Sequence, residues 1–283
     1  MKTIIKKLII LCPLSLKLFV WRFLRSINYR DRNAVFFFLK NSEFDSDLLS
    51  TLIRMNASVL NKAINKTAPA SGASADNLKK YLALWEENSF LKTPDIEWSE
   101  KTLKDFAAGA AAGTAPSQRE ANPQAVLNNL LSRRSVRLFK NSDVSKDVVE
   151  KIIEAGRWAP SSCNRQTWKI IAVKRPLGVK PDSPAAPVSL YVCLDERGYT
   201  EKYAPAMDAA AIVENMLLYA NALGLGACWI YQADSVNQNS LRRRFELPEY
   251  FYVYSLVLLG HPAAEPAAPE KKRLRENVKF IGF

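Results

Sequence analysis

Histidine is almost missing from this chain of 283 residues: His261 is the only one, and the four cysteines stand far apart with no CxxC pair. Ser-His-Asp and Cys-His catalysis both need an imidazole beside the nucleophile, so neither reaction type is expected. The same scarcity argues against a zinc site and a disulfide framework. We therefore expect no metal, no catalytic side-chain nucleophile and a reducing, cytoplasmic compartment.

Long hydrophobic runs are absent as well. The longest uncharged apolar run near the start covers residues 8–16, and Lys17 ends it. This run is far short of the roughly 18 to 20 residues needed to span a bilayer. No small-residue cleavage site follows it, so the sequence predicts neither a membrane span nor a signal peptide.

Positive charge is abundant but unevenly placed. The net charge is +12, and residues 1–33 contain eight basic side chains and one acidic one. With its Trp and Phe side chains, this basic amphipathic segment can lie peripherally on the anionic inner face of a membrane. Packing against the protein or a partner chain is an equal alternative. Aromatic and basic residues are not interleaved as in nucleic-acid-binding motifs, so we expect no nucleic-acid partner.

Helical periodicity dominates the chain up to about residue 106. Apolar residues fall at helical spacing over 48–64, behind Asp45 or Ser46 as the cap. Asp76 can cap a second helix, and a third can follow Ser99. The composition thus predicts four parts: a basic amphipathic segment (1–33), a helical extension (34–106), an Ala/Gly/Pro-rich linker (107–124) and a second domain (125–283).

The second domain mixes helix and strand patterns. A helix is predicted to end near Trp158, and a long helix is predicted to open at Pro205 and close at Gly224. Predicted strands cover 169–173, 189–194 and 253–259, the last nearly continuous in apolar residues and therefore central. The pattern predicts an α+β domain with a buried sheet.

Two motifs in this domain carry candidate chemistry. Residues 132–137 read Ser-Arg-Arg-Ser-Val-Arg, and guanidinium and hydroxyl groups at this density suit a phosphate. A solvated basic run at a helix entrance is the alternative interpretation. Residues 157–168 place small hydroxyl residues, an amide and a Trp between a helix end and a strand. Such a loop can donate several hydrogen bonds to a planar heterocycle.

These motifs are joined by residues 222–229 (Ala-Leu-Gly-Leu-Gly-Ala-Cys-Trp) and by 259–262 (Leu-Gly-His-Pro) with 271–274 (Lys-Lys-Arg-Leu). In their order and spacing over residues 125–283, the four blocks resemble the nitroreductase family of FMN enzymes. The resemblance implies an α+β fold with a nitroreductase-like mixed central sheet flanked by helices. Here that fold is preceded by a helical N-terminal extension.

The resemblance also implies a set of cofactor-binding residues. The group expected to hold the phosphate and ribityl chain of FMN comprises Arg133, Arg134, Ser135, Arg137, Lys271 and Arg273. The loop expected to reach the flavin of the other subunit contributes Pro160, Ser161, Ser162, Asn164 and Gln166. Tyr231 and Gln232 are expected along the flavin ring. A homodimer with FMN at its interface is therefore implied.

The implied activity is that of an FMN-dependent oxidoreductase. NADH or NADPH would reduce FMN, and a small nitro-, quinone- or enone-like substrate would take the electrons in a ping-pong cycle. Two alternatives stay open. One is a flavin oxidase or dehydrogenase of a cellular metabolite, linked by loose resemblance to surface polysaccharide synthesis. The other is a non-catalytic flavin-binding scaffold, motivated by the short stretch 174–187, where many family members insert a helix.

Overall fold

The structure is a computed structural model of the chain. It describes residues 12–20 except 14 and 18, and residues 43–67, 69, 72–109, 122–175, 186–231 and 237–282. Most of the basic segment 1–33 lies outside the described residues, so its contact with a membrane stays a prediction. Within the described part, every helix is too short or too polar to cross a bilayer.

Between residues 43 and 109, the described part of the chain forms three helices, which we call the helical unit: α1 (Ser46–Ile64), α2 (Gly72–Glu87) and α3 (Pro94–Ala107). The Asp45 carboxylate accepts a hydrogen bond from the Leu48 amide at 2.9 Å, so Asp45 is the cap of α1. Two predicted starts are wrong. α2 begins four residues before Asp76, and α3 begins at Pro94 rather than after Ser99, because proline suits the first turn of a helix.

The helical unit has an apolar core of its own. Leu49, Ile53, Leu60, Leu78 and Ile96 are completely shielded from solvent between the three helices. Leu49, Ile53 and Leu60 follow the helical period along α1, which places them on its inner face. A separate core agrees with the predicted helical extension, and the exact division into domains stays a prediction.

The described residues after 121 form four strands and four longer helices: α4 (Pro123–Ser132), α5 (Lys146–Arg157), β1 (Trp168–Lys174), β2 (Val188–Asp195), α6 (Ala204–Ala222), β3 (Gly226–Tyr231), α7 (Gln238–Arg244) and β4 (Phe251–Gly260). A last short turn, α8 (Leu274–Asn277), follows them. α4 was not predicted. It starts within the predicted linker because the Asn122 side chain caps it, accepting from the Ala125 amide at 3.0 Å.

The strands form one sheet in the order β1-β2-β4-β3, with every neighbouring pair antiparallel. An isolated parallel bridge between Ser135 and Ala227 adds a further segment beside β3 and makes the sheet mixed. β4 is internal and largely buried, as predicted. β3 was not predicted as a strand; it follows Gly224, whose positive φ of 72° ends α6.

Helices α5 and α6 pack together against this sheet. Their contact is close at Gly156, where a Cβ atom would lie 2.8 Å from the Met216 side chain. The core between helices and sheet includes Ile152, Val213 and Leu190, all shielded from solvent. The α+β fold class is therefore confirmed.

A buried arginine joins the helical unit to the sheet. Arg197 follows β2, is only 1% exposed, and pairs with Asp195 at 2.6 Å and with the helix cap Asp45 at 2.7 Å. Its guanidinium lies 3.4 Å from the centre of the Tyr250 ring. Burial alone would lower the pKa of Arg197, but the two carboxylates outweigh burial and raise it. The contact is thus a charged clamp between the start of α1 and the end of β2.

Candidate functional site

The arginine-rich segment 133–137 runs beside strand β3. The Val136 amide donates to the Ala227 carbonyl at 3.0 Å, next to the Ser135–Ala227 bridge. Val136 is buried against Gly226, where a Cβ atom would lie only 2.7 Å from the Val136 Cβ. A glycine is therefore required for this close approach, which fixes the arginines at the edge of the sheet.

A cavity of about 410 Å³ opens beside this segment. Its volume lies within the range of small-molecule sites. It lies between the arginine segment, the C-terminal end of α6 and the chain that follows β4. Its lining includes Arg133, Arg134, Gly224, Gly226, Pro262 and Glu265.

The arginines of the segment have no carboxylate partner among the described residues. The Arg134 guanidinium donates to the carbonyls of Leu131 and Arg133 at 2.6 and 2.9 Å, and Arg137 donates weakly to the Ser135 carbonyl at 3.5 Å. No described carboxylate is therefore within ion-pair distance of these guanidinium groups, although Glu265 lines the same cavity. Guanidinium groups in this state, beside a serine hydroxyl, are donors suited to a phosphate.

A second candidate region is the loop 160–166, between α5 and β1. The buried Asp208 carboxylate of α6 accepts hydrogen bonds from the Ser162 amide and hydroxyl at 3.0 Å and from the Tyr199 hydroxyl at 2.7 Å. The Thr167 hydroxyl donates to that of Tyr199 at 2.9 Å. Burial and the neighbouring Asp208 raise the pKa of Tyr199, so its hydroxyl keeps its proton and donates. A hydrogen-bonded network that includes Asp208, Tyr199 and Thr167 therefore holds the loop in place.

The loop backbone is strained. Cys163, Asn164 and Gln166 all have positive φ angles of 50° to 55°, a region that residues other than glycine rarely adopt. Two local hydrogen bonds brace it: the Gln166 amide donates to the Ser161 hydroxyl at 3.2 Å, and the Gln166 side chain donates to that of Asn164 at 2.9 Å. Strain of this kind clusters at ligand-binding sites.

The structure brings together only part of the predicted site. Arg133 and Arg134 line the cavity, whereas Ser135, Arg137 and loop 160–166 contribute nothing to its lining. Lys271 and Arg273 lie exposed on the chain after β4, and Arg273 faces Glu276 at 3.7 Å. The Tyr231 backbone pairs with Ser255, while its side chain and all of Gln232 lie outside the described residues.

Sequence reasoning missed two acidic residues of these regions. Asp208 is only 5% exposed and is the partner that fixes Ser162. An acidic side chain at a position of the buried α6 stripe was the available signal, since a buried carboxylate needs hydrogen-bond donors. Glu265, which lines the cavity, stands in an exposed segment with no periodic pattern and gave no signal.

Fold and cavity together define a class: an α+β protein with an arginine-lined site that suits a phosphorylated ligand. The model of the nitroreductase family matches residues 130–191 and 184–261. A chain of Archaeoglobus fulgidus, provisionally named an NADH dehydrogenase/NAD(P)H nitroreductase, is 33% identical over 153 residues, which cover 49% of this chain and 86% of the relative. The FMN reductase [NAD(P)H] of Bacillus subtilis is 30% identical, with 54% and 71% of the two chains covered.

Among solved structures, a nitroreductase with bound FMN from Bacteroides fragilis is 26% identical. The match covers 57% of this chain and all of the other, with a TM-score of 0.47. The sequence relatives decide the assignment. This chain belongs to the nitroreductase family, and the matched model begins at residue 130, after the helical unit.

Proposed function

We propose that the chain is an FMN-dependent oxidoreductase that takes electrons from NADH or NADPH and passes them to a small organic acceptor. The enzyme class follows from membership of the nitroreductase family. The Bacillus subtilis relative is named an FMN reductase that uses NAD(P)H, and the Bacteroides fragilis structure holds FMN, which favours this cofactor here. The observation that carries the proposal is the cavity lined by Arg133 and Arg134, which form no ion pair with a described carboxylate.

The chemistry of these donors fits the phosphate end of FMN. Arg133, Arg134 and Arg137 offer planar guanidinium forks, and Ser135 offers a hydroxyl beside the glycine-rich turn into β3. Together they would hold the phosphate and the ribityl chain. Lys271 and Arg273 would add two more cations from the exposed chain after β4. Bound FMN would supply the hydride chemistry, so the protein's part is to bind and orient.

The second half of the site would come from another copy of the chain. Helix α4 has no buried residue, although it carries four large apolar side chains: Val126, Leu127, Leu130 and Leu131 are between 46% and 64% exposed. Leu274, Phe280 and Ile281 are at least 70% exposed on the C-terminal segment. Exposed apolar surface of this extent is typical of an interaction face. A homodimer would cover it.

In this dimer, the loop of one copy would meet the flavin bound by the other. Pro160, Ser161 and Asn164 would face the ring, and the braced backbone of Gln166 would keep them in place. Because Asp208 already binds the Ser162 amide and hydroxyl, Ser162 would act mainly by fixing the loop. Backbone N–H groups near Tyr231 and Gln232 would lie along the ring, where donors favour the electron-rich reduced cofactor.

The substrate we propose is a small nitro-, quinone- or enone-like compound that enters after the nicotinamide leaves. The experiment is to purify the full chain, add FMN and measure flavin absorbance during anaerobic addition of NADH or NADPH. Stoichiometric FMN binding and rapid bleaching by either nucleotide are expected. Binding without bleaching would favour an oxidase or dehydrogenase of a metabolite, or a flavin-binding scaffold. A chain that takes up no FMN would contradict the proposal.

The location also remains a proposal. A cytoplasmic enzyme whose basic segment 1–33 touches the inner face of a membrane would fit the charge of that segment. Co-sedimentation with vesicles of anionic lipid, compared between the full chain and a chain lacking residues 1–33, tests it. Equal sedimentation of the two would contradict membrane contact.

A further inference from the structure

Arg54 of helix α1 reaches across to the strained loop of the family domain. Its Nε and Nη2 atoms donate to the Arg165 carbonyl at 3.1 and 2.9 Å, and Nη2 also approaches the Gln166 carbonyl at 3.4 Å. The side chain is only 11% exposed. A residue 111 positions away in sequence therefore holds two consecutive carbonyls of the loop.

The guanidinium atom that does not bind the loop, Nη1, is also held by a partner. Nη1 pairs with the Asp95 carboxylate of α3 at 2.6 Å, and the Thr93 hydroxyl donates to the other oxygen of Asp95 at 2.6 Å. Burial lowers the pKa of Arg54 and Asp95 partly opposes this, yet a guanidinium stays charged at any physiological pH. Two edges of the planar guanidinium thus donate hydrogen bonds, one to the loop and one to Asp95. A lysine ammonium could not make both sets of bonds with the same geometry.

The carbonyls that Arg54 binds belong to the part of the loop with unusual geometry. Asn164 and Gln166, on either side of Arg165, both have positive φ angles. Such backbone persists only where surrounding contacts hold it. Asp208 holds the loop at Ser162, and Arg54 holds it at the other end, toward β1. The two contacts come from different parts of the chain.

We propose that Arg54 is a positioning residue for flavin binding, so that the helical unit before residue 110 sets the conformation of loop 160–166. This inference rests on the proposed function, in which that loop faces FMN. The residue lies outside the matched family model, which starts at residue 130. The helical unit would then be an added support for the cofactor site, distinct from a passive N-terminal attachment.

The test compares R54Q with wild type in two measurements. FMN affinity is measured by quenching of flavin fluorescence, and the loop is followed by amide hydrogen exchange over residues 161–167 without FMN. We expect R54Q to weaken FMN binding by about tenfold or more, as for loss of charge-assisted hydrogen bonds, and to speed exchange in the loop. R54K, which keeps the charge but loses the fork, should lie between the two.

The matched control is D45N, which weakens the ion pair with Arg197 at the start of α1 without touching the loop. D45N should lower thermal stability but leave FMN affinity and loop exchange near wild-type values. Equal loss of FMN affinity in D45N and R54Q would mean that Arg54 acts only through stability, and would overturn the inference. Unchanged FMN affinity in R54Q would overturn the role of Arg54 and leave the proposed function standing. A wild-type chain that takes up no FMN would overturn the proposed function as well.

Discussion

At the scale of single residues, the loop of the candidate site depends on side chains that themselves make no contact with the cavity. Asp208 receives three donors from Ser162 and Tyr199 while almost fully shielded from solvent. A carboxylate buried in this way needs hydrogen-bond donors, and these three groups provide them. The conformation of the loop is therefore fixed before any ligand binds.

This makes D208N an informative variant. The amide would present its NH2 group to donors on Ser162 or Tyr199, so a buried donor loses its acceptor. We expect the free energy of unfolding to fall by about 1–3 kcal/mol, measured by urea unfolding with intrinsic fluorescence. E214Q, an exposed change on the same helix, serves as the control and should be near neutral. Equal stabilities of D208N and E214Q would contradict the role given to Asp208.

The ion pair of Arg54 and Asp95 predicts a pH dependence. Burial would raise the pKa of Asp95, but the Thr93 hydroxyl and Arg54 outweigh burial and hold the pKa below its usual range. A carboxyl group with a lowered folded-state pKa contributes stability above its unfolded value of about 3.9 and loses it as pH falls through the folded value. The stability difference between wild type and D95N should therefore be largest near neutral pH.

Urea unfolding of both proteins over a pH series checks this expectation. The difference should shrink as pH falls below about 4, because the unfolded carboxyl takes up its proton first, and it should vanish once pH falls below the folded pKa of Asp95. D105N, which alters a 37% exposed carboxylate on the same helix, should show only a small difference. A difference between wild type and D95N that stays constant down to the acid limit would contradict the charged pair.

At the scale of elements, helix α4 is the clearest sign of a missing partner. Its four apolar side chains face solvent, although Asn129 ties the helix to α6 by donating to the Leu218 carbonyl at 2.9 Å. A helix that is held by polar contacts and leaves its apolar face uncovered is unusual on the surface of a monomer. The dimer proposed above covers this face.

Leu131, 64% exposed, tests the dimer directly. L131Q should raise the dimer dissociation constant by about tenfold or more, since burial of a leucine side chain contributes about 1.5–3 kcal/mol. Sedimentation velocity over a concentration series measures it. L91Q alters an 84% exposed leucine of the helical unit and should leave the dimer intact. Equal effects of the two changes, or a wild-type monomer, would contradict the proposed interface.

The elements also show which parts of the fold can be predicted from local sequence patterns. The cap at Asp45, the apolar period of α1 and the continuous apolar run of β4 were readable because each is decided by neighbours in sequence. Strand β3 was missed because its six residues follow a glycine turn closely and depend on pairing with β4. Arg54 and Asp208 escaped notice since their partners lie 111 and 46 residues away, and no period reports a contact of that range.

At the scale of the whole molecule, charged side chains connect the helical unit, which has its own apolar core, to the family domain. Arg197 with Asp45 closes one end of the junction, and Arg54 with the Arg165 carbonyl closes the other. Buried ionic contacts add little net stability compared with apolar packing, but removing one partner is strongly unfavourable. The junction therefore fixes one arrangement of the helical unit on the family domain. The positions of the arginines at the cavity do not depend on it.

The most direct test of the FMN site is the FMN affinity of a variant changed at Arg133. We predict that wild type binds FMN and that R133E weakens binding by at least about tenfold, because a carboxylate replaces a charge-assisted phosphate donor. K140E makes the same change of charge at an exposed position nearby and should bind like wild type. Dissociation constants from flavin fluorescence, with far-UV circular dichroism to show that the variants fold, decide the matter. Equal FMN affinity in R133E and wild type would contradict the assignment of the arginine segment as the phosphate site.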